Sequence, residues 1–75
     1  MKTRHLDVQG LEAPEPLDCI LAELETLPDD TRLIVRHWRE PLLLYPLLEA
    51  QGWQYQTVYD EQARNYQITI CRAEV

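Results

Sequence analysis

Few residues in this chain are of the types that do chemistry, and their spacing limits what they can do. There are two cysteines, Cys19 and Cys71, and two histidines, His5 and His37. No Cys-x-x-Cys or His-x-His pair occurs, so no zinc-type ligand spacing is present. Cys19 has Glu15 and Glu23 one helical turn away on either side, which suits a rim position better than a nucleophile's. Cys71 alternates with Gln67 and Thr69 and is expected on the open face of a sheet, far from Cys19. His5 reads as the start of one strand and His37 as the end of a parallel one. A strand's length of roughly 17 Å would then separate the rings, too far for a shared metal within one chain. His37 stands beside Trp38 and Arg39. Arginine can hold an anion bidentately, although Glu40 beside it can take up the same charge. Glu12 and Glu15 could act as an acid–base pair, but both also complement the positive end of a helix. No Ser-His-Asp arrangement, phosphate-cradling loop or nucleotide fingerprint is present, and no cofactor is expected.

The elements that must position these residues follow from periodicity. Leu6 and Val8 alternate with Asp7 and Gln9, which predicts a short strand ended by Gly10. Prolines at 14 and 16 open a helix whose stripe is Leu17, Ile20, Leu21, Leu24 and Leu27. Pro28-Asp29-Asp30 is a turn. Leu33-Ile34-Val35 predicts an inner parallel strand ending at His37-Trp38. Glu40-Pro41 opens a second helix running to about Gln51 and closed by Gly52, with Pro46 either kinking it or marking its true start. Trp53 to Tyr59 and Tyr66 to Cys71 predict a hairpin. Trp53, Tyr55, Thr57 and Tyr59 share one face of it, which is either core or a stacking surface. The order β-α-β-α-β-β predicts an α/β (α+β) two-layer sandwich, with a mixed four-stranded sheet and two helices on one face. Residues 1–75 are expected to form one domain.

In open α/β sheets ligands gather at the carboxyl ends of parallel strands. Here that edge joins the loop from Gln9 to Pro16 with the loop from His37 to Pro41. The candidate binding residues are Gly10, Glu12, Ala13, Pro14, Glu15, His37, Trp38 and Arg39. The first loop ends in a helix N-terminus, whose free N–H groups are expected to suit an anion or a thiolate. The second helix is apolar nearly all round, with Leu42, Leu43, Leu44, Tyr45, Leu47 and Leu48. One small sheet covers only part of that circumference, so an exposed apolar patch is expected.

Charge narrows the partners. The net charge of −6 argues against nucleic acid and anionic membrane, since both require a basic surface. No apolar run approaches the roughly 18 residues of a membrane span. Met1 to His5 lacks the apolar segment of a signal peptide, and the cysteines are too few for a secreted disulfide framework, so a cytoplasmic setting is expected.

The segment Leu6-Asp7-Val8-Gln9-Gly10-Leu11-Glu12-Ala13-Pro14-Glu15-Pro16-Leu17 resembles the signature of the TusA/SirA-like sulfur-carrier family, L-D-x-x-G-L-x-C-P-x-P followed by an apolar residue. Leu6, Asp7, Gly10, Leu11, Pro14, Pro16 and Leu17 match with the spacing intact. The resemblance implies the same βαβαββ sandwich. It also exposes one departure, because the carriers' persulfide-forming cysteine falls at Ala13. The chain looks like the uncharacterised branch of that family that lacks the cysteine, which Arg39-Glu40-Pro41-Leu42-Leu43 also resembles. The expected function is therefore a non-catalytic binding or carrier-like module that docks a protein partner or a copy of itself. The alternatives are a sulfur-transfer or redox accessory protein using another thiol, and a metal- or haem-binding accessory domain using His37 of two chains.

Overall fold

The computed structural model describes residues 2–12 and 14–72. Along the chain run β1 (Lys2–Asp7), α1 (Glu15–Glu25), β2 (Thr31–His37), α2 (Leu44–Ala50), β3 (Trp53–Asp60) and β4 (Asn65–Arg72). The four strands form one sheet in the order β1-β2-β4-β3. β1 and β2 are parallel, whereas β4 is antiparallel to both β2 and β3. This is the α+β two-layer fold expected from the order of elements.

Register sorts the strand residues onto two faces, because successive side chains alternate. Leu33 and Val35 of β2 pair with Ile70 and Ile68 of β4, and all four are fully buried. Against them pack Ile20 and Leu24 of α1 and Leu44 and Leu48 of α2, with Val8 and Leu27 closing the ends. Both helices therefore lie over this face. Trp53, Tyr55, Thr57 and Tyr59 belong to it as well, so the aromatic row belongs to the core side. The Tyr55 ring stacks on Tyr45 of α2 at 4.6 Å between centroids, and Tyr45 and Thr57 share a 2.6 Å hydrogen bond between their hydroxyls.

The opposite face carries no helix and holds a polar network. Arg36 donates to Asp60 Oδ2 at 3.3 Å and to Asn65 Oδ1 at 3.0 Å. Asn65 in turn donates to Gln9 Oε1 at 3.1 Å, which ties the loop after β1 to the far hairpin. Asp60 also accepts the N–H groups of Gln62 and Ala63 and so closes the β3–β4 turn. The Ala63 N–H is the main influence holding its carboxyl below the ordinary value, against the opposing pull of desolvation, with Arg36 and Gln62 adding to it.

Three details depart from the sequence expectation. α2 begins at Leu44 rather than at Glu40-Pro41, and Pro41 to Leu43 form a preceding turn in which Leu44 N–H donates to Pro41 C=O. The late start places Pro46 in the first helical turn, where its missing N–H costs no helical bond. β1 begins at Lys2, because the parallel ladder runs from Lys2↔Thr31 to Asp7↔Arg36. Lys2, Thr3 and Arg4 give no alternation of polarity by which sequence could have found it. His5 therefore sits inside β1, opposite Ile34. It is only about 11 Å from His37 by strand rise and spacing, but on the other face of the sheet.

Candidate functional site

The carboxyl ends of β1 and β2 open into a cleft of about 450 Å³. Its first wall comes from the loop after β1. Asp7 accepts the backbone N–H of Gln9 at 2.9 Å, an Asx turn that bends the chain away from the sheet. Gly10 follows with φ +85°, in the left-handed region that costs a residue with a Cβ roughly 1–2 kcal/mol. The reversal delivers Leu11 to the cleft, and Pro14, Pro16 and Leu17 continue its wall from the start of α1.

The second wall comes from the segment after β2. His37 ends the strand, Trp38 to Glu40 leave it, and Pro41 to Leu44 turn into α2. Leu42 and Leu43 are 65% and 80% exposed, and Trp38 is 51% exposed. Leu47 adds to this surface one turn along α2. A volume near 450 Å³ lies within the range of small-molecule and anchor-residue sites.

His37 supplies the cleft's most defined polar group. The residue is 6% exposed, and its Nδ1 accepts the backbone N–H of Arg39 at 3.2 Å. Burial, and after it the Arg39 guanidinium, lowers its pKa below the ordinary 6.5. Both influences favour the neutral ring. With Nδ1 used as an acceptor, the ring proton belongs on Nε2. Nε2 has no hydrogen-bond partner among the described residues, and His37 lines the cleft.

In this tautomer Nε2 donates a hydrogen bond, and the one ring lone pair, on Nδ1, is engaged by the Arg39 N–H. Among the described residues no group of three or more His, Cys, Asp or Glu side chains is placed to hold a metal ion. Arg39 lies with its guanidinium carbon 4.8 Å from the Trp38 ring centroid, a cation–π contact that holds a second donor beside His37.

The lowered pKa sets the direction of a pH effect. Below about pH 6.5 the unfolded chain binds a proton at His37 that the folded chain resists, so stability falls as pH drops through that window. Thermal unfolding of His37→Gln, whose side chain still offers an acceptor, is expected to show a shallower loss between about pH 7 and pH 5 than wild type. Equal slopes would show that His37 does not carry the effect.

The structure brings together most of the candidate residues. Pro14, His37, Trp38 and Arg39 line the cleft, and Gly10 and Glu12 border a shallower depression continuous with it at Leu11 and Trp38. Glu15 lies in the first turn of α1 and is exposed outside the cleft. Ala13 lies outside the described residues.

The helix N-terminus differs from expectation. Pro14 and Pro16 have no N–H, Glu15 N–H donates to Glu12 C=O, and Asp18 N–H donates to Pro14 C=O. Among residues 14 to 18, then, two lack an N–H and two have theirs taken, so this end is a poor anion cradle. Leu11, Pro16, Glu40 and Pro41 line the cleft from within the two loops expected to form the site, without having been singled out, and Leu17 and Leu42 to Leu44 extend its walls beyond those loops. The signal available was the run Pro41-Leu42-Leu43-Leu44, whose apolar length exceeds what one helix face can bury.

Neither cysteine lines the cleft. Cys19 is half-buried against the core and Cys71 half-buried on the open face, opposite Gln54. Both are free thiols. Among the described residues no helix is long and apolar enough to cross a membrane.

Comparison with known proteins places the chain in a family without placing it in a pathway. No curated protein and no solved structure matches it. The family described as "Uncharacterized conserved protein (DUF2249)" matches residues 5–72, a stretch that contains both cleft walls and the whole sheet except the first residues of β1, and the chain belongs to that family.

Proposed function

We propose that this chain is a non-catalytic protein-binding module built on a TusA/SirA-like scaffold, and that the cleft seats an apolar segment of a partner protein. The observation that carries the reading is that exposed Trp38, Leu42 and Leu43 line the cleft. Large apolar side chains grouped around a concavity are characteristic of docking sites. His37 Nε2–H and Arg39 at one end supply donors for a backbone carbonyl or a carboxylate of the segment. The residues shared with the sulfur-carrier signature support the scaffold assignment, because each has a structural role here, Leu6 and Leu17 by packing against the core. Asp7 makes the turn, Gly10 reverses the chain, Leu11 walls the cleft, and Pro14 and Pro16 start α1.

Ala13 in place of the carriers' cysteine favours binding over sulfur relay, since a methyl group cannot form a persulfide. The placement of Cys19 and Cys71 away from the cleft leaves neither in position to replace it. A photoreactive residue at position 42, compared with one at Gln67 on the open face, tests the reading in cells. The expected result is a partner cross-linked from position 42 alone, whose purified form binds wild type and loses at least tenfold in affinity for Leu43→Arg. Equal capture from both positions, or unchanged affinity for that variant, would overturn it.

A further inference from the structure

Positive charge is placed selectively around the cleft. Lys2, Arg4, Arg36 and Arg72 each lie within 4.0 Å of a carboxylate, on Asp30, Glu23, Asp60 and Asp29. Among the described residues the Arg39 guanidinium has no such partner, although it lines the cleft. Arg32 and Arg64 also lack one, but neither borders the cleft. His37 brings a second donor to the same end. It is nearly buried, its Nδ1 is engaged by the Arg39 N–H, and its Nε2–H has no hydrogen-bond partner among the described residues. A buried donor left over beside a cleft calls for an acceptor from outside the chain. The Trp38 ring borders both groups, with its centroid 6.4 Å from that of the His37 ring and 4.8 Å from the Arg39 guanidinium carbon.

The rest of the lining is apolar or acidic. Glu40 is the other charged residue of the cleft, and its carboxylate accepts the Tyr45 O–H at 3.1 Å. Glu12 borders the adjoining depression. On a chain of net charge −6, a negative group entering this cleft has one favourable place, beside Arg39 and His37. An apolar group has Leu11, Leu17, Leu42 and Leu43.

We propose that the cleft holds the C-terminus of the partner protein, with an apolar last side chain against the leucines and the terminal carboxylate bound by Arg39 and the His37 Nε2–H. The proposal rests on the docking reading above and names the chemistry of the docked segment. A backbone carbonyl would satisfy one donor and leave the guanidinium charge unanswered, whereas a carboxylate answers both. An internal aspartate or glutamate carries its charge on its own side chain, so that side chain cannot also fill the apolar walls. Only a C-terminal residue presents an apolar side chain and a carboxylate from one Cα, and carboxylate capture of this kind is a recurring mode of peptide recognition. Free apolar acids share the chemistry. Exposed Trp38, Leu42 and Leu43 extend the apolar surface outward from the cleft, so an occupant that continues as a chain fits it better than a small molecule does.

Pooled acetylated hexapeptides of random sequence test the proposal, prepared once with a free C-terminal carboxylate and once with a C-terminal amide. Wild type is expected to retain free-acid peptides that end in Leu, Ile, Val, Met or Phe. The amide of each retained sequence is expected to bind about tenfold more weakly or worse, in titrations followed by the His37 ring and Leu43 methyl resonances. Arg39→Gln, at an exposed position, is expected to remove most of the acid's advantage over the amide, which a misfolded variant that loses both would not show. Equal binding of acid and amide, both lost in Leu43→Arg, would overturn the carboxylate assignment and leave the docking reading standing. Hexanoate that binds as tightly as the best peptide would give the cleft to a small apolar acid and overturn the proposal. Failure of both pools to bind would overturn it as well, and cross-linking from position 42 then decides the docking reading on its own.

Discussion

Leu44→Ala is expected to destabilise the fold by about 2–5 kcal/mol, the usual range for emptying a buried leucine site. Leu44 is fully buried and belongs to the core cluster, yet the same residue forms part of the cleft floor. A domain of 75 residues has roughly 4–11 kcal/mol of stability in all. The substitution therefore removes a large fraction, at about 4–8 °C of melting temperature per kcal/mol. The seven-residue α2 is shorter than the ~12–15 residues needed for even marginal stability in isolation, so it depends on Leu44 and Leu48 to hold it to the sheet. Urea denaturation followed by circular dichroism gives the measurement. A loss below 1 kcal/mol would mean that α2 docks through Tyr45 and Tyr55 instead, and that the cleft floor does not depend on core packing.

That dual position explains which parts of the molecule could be read from sequence. Elements with a strong period were legible. The stripe containing Ile20 and Leu24, the run Leu33 to Val35, and the alternation of Ile68 and Ile70 gave the layers and the order of elements. The location of the cleft also followed, because the crossover from β1 to β2 fixes where parallel strands end. The walls were harder to read. Glu40-Pro41 has the form of a helix start, but a helix beginning there would place Pro46 in its interior at the cost of a backbone bond. Starting at Leu44 avoids that cost and leaves Pro41 to Leu43 as an exposed turn.

The helix N-terminus was misleading for a related reason. Prolines that suit a helix start also remove the N–H groups an anion would use, so the dipole remains but the donors do not. The tautomer of His37 depends on a hydrogen bond from Arg39 N–H, two residues along the chain, which only the local backbone path reveals. The polar network of Arg36, Asp60, Asn65 and Gln9 joins residues up to 56 positions apart, and sequence adjacency carries no trace of it.

Trp38→Ala is expected to do the reverse of Leu44→Ala, weakening partner binding strongly while leaving the fold nearly unchanged. Trp38 is 51% exposed and borders both the cleft and the depression beside it. It contributes no member of the buried core, so its removal should alter stability by no more than about 0.5 kcal/mol. Its ring also supports the Arg39 guanidinium at 4.8 Å, and the two types together are those that most often dominate interface energy. Losing an anchor of this kind costs about 2 kcal/mol or more, or roughly 30-fold in Kd. Isothermal titration with the cross-linked partner, beside a urea melt of the same variant, separates the two effects. Full affinity in Trp38→Ala would place the contact elsewhere on the leucine surface, whereas a large loss of stability would make Trp38 a structural residue. If Leu44→Ala unfolds the chain and Trp38→Ala only releases the partner, one cleft has a floor that holds the fold together and a rim that recognises.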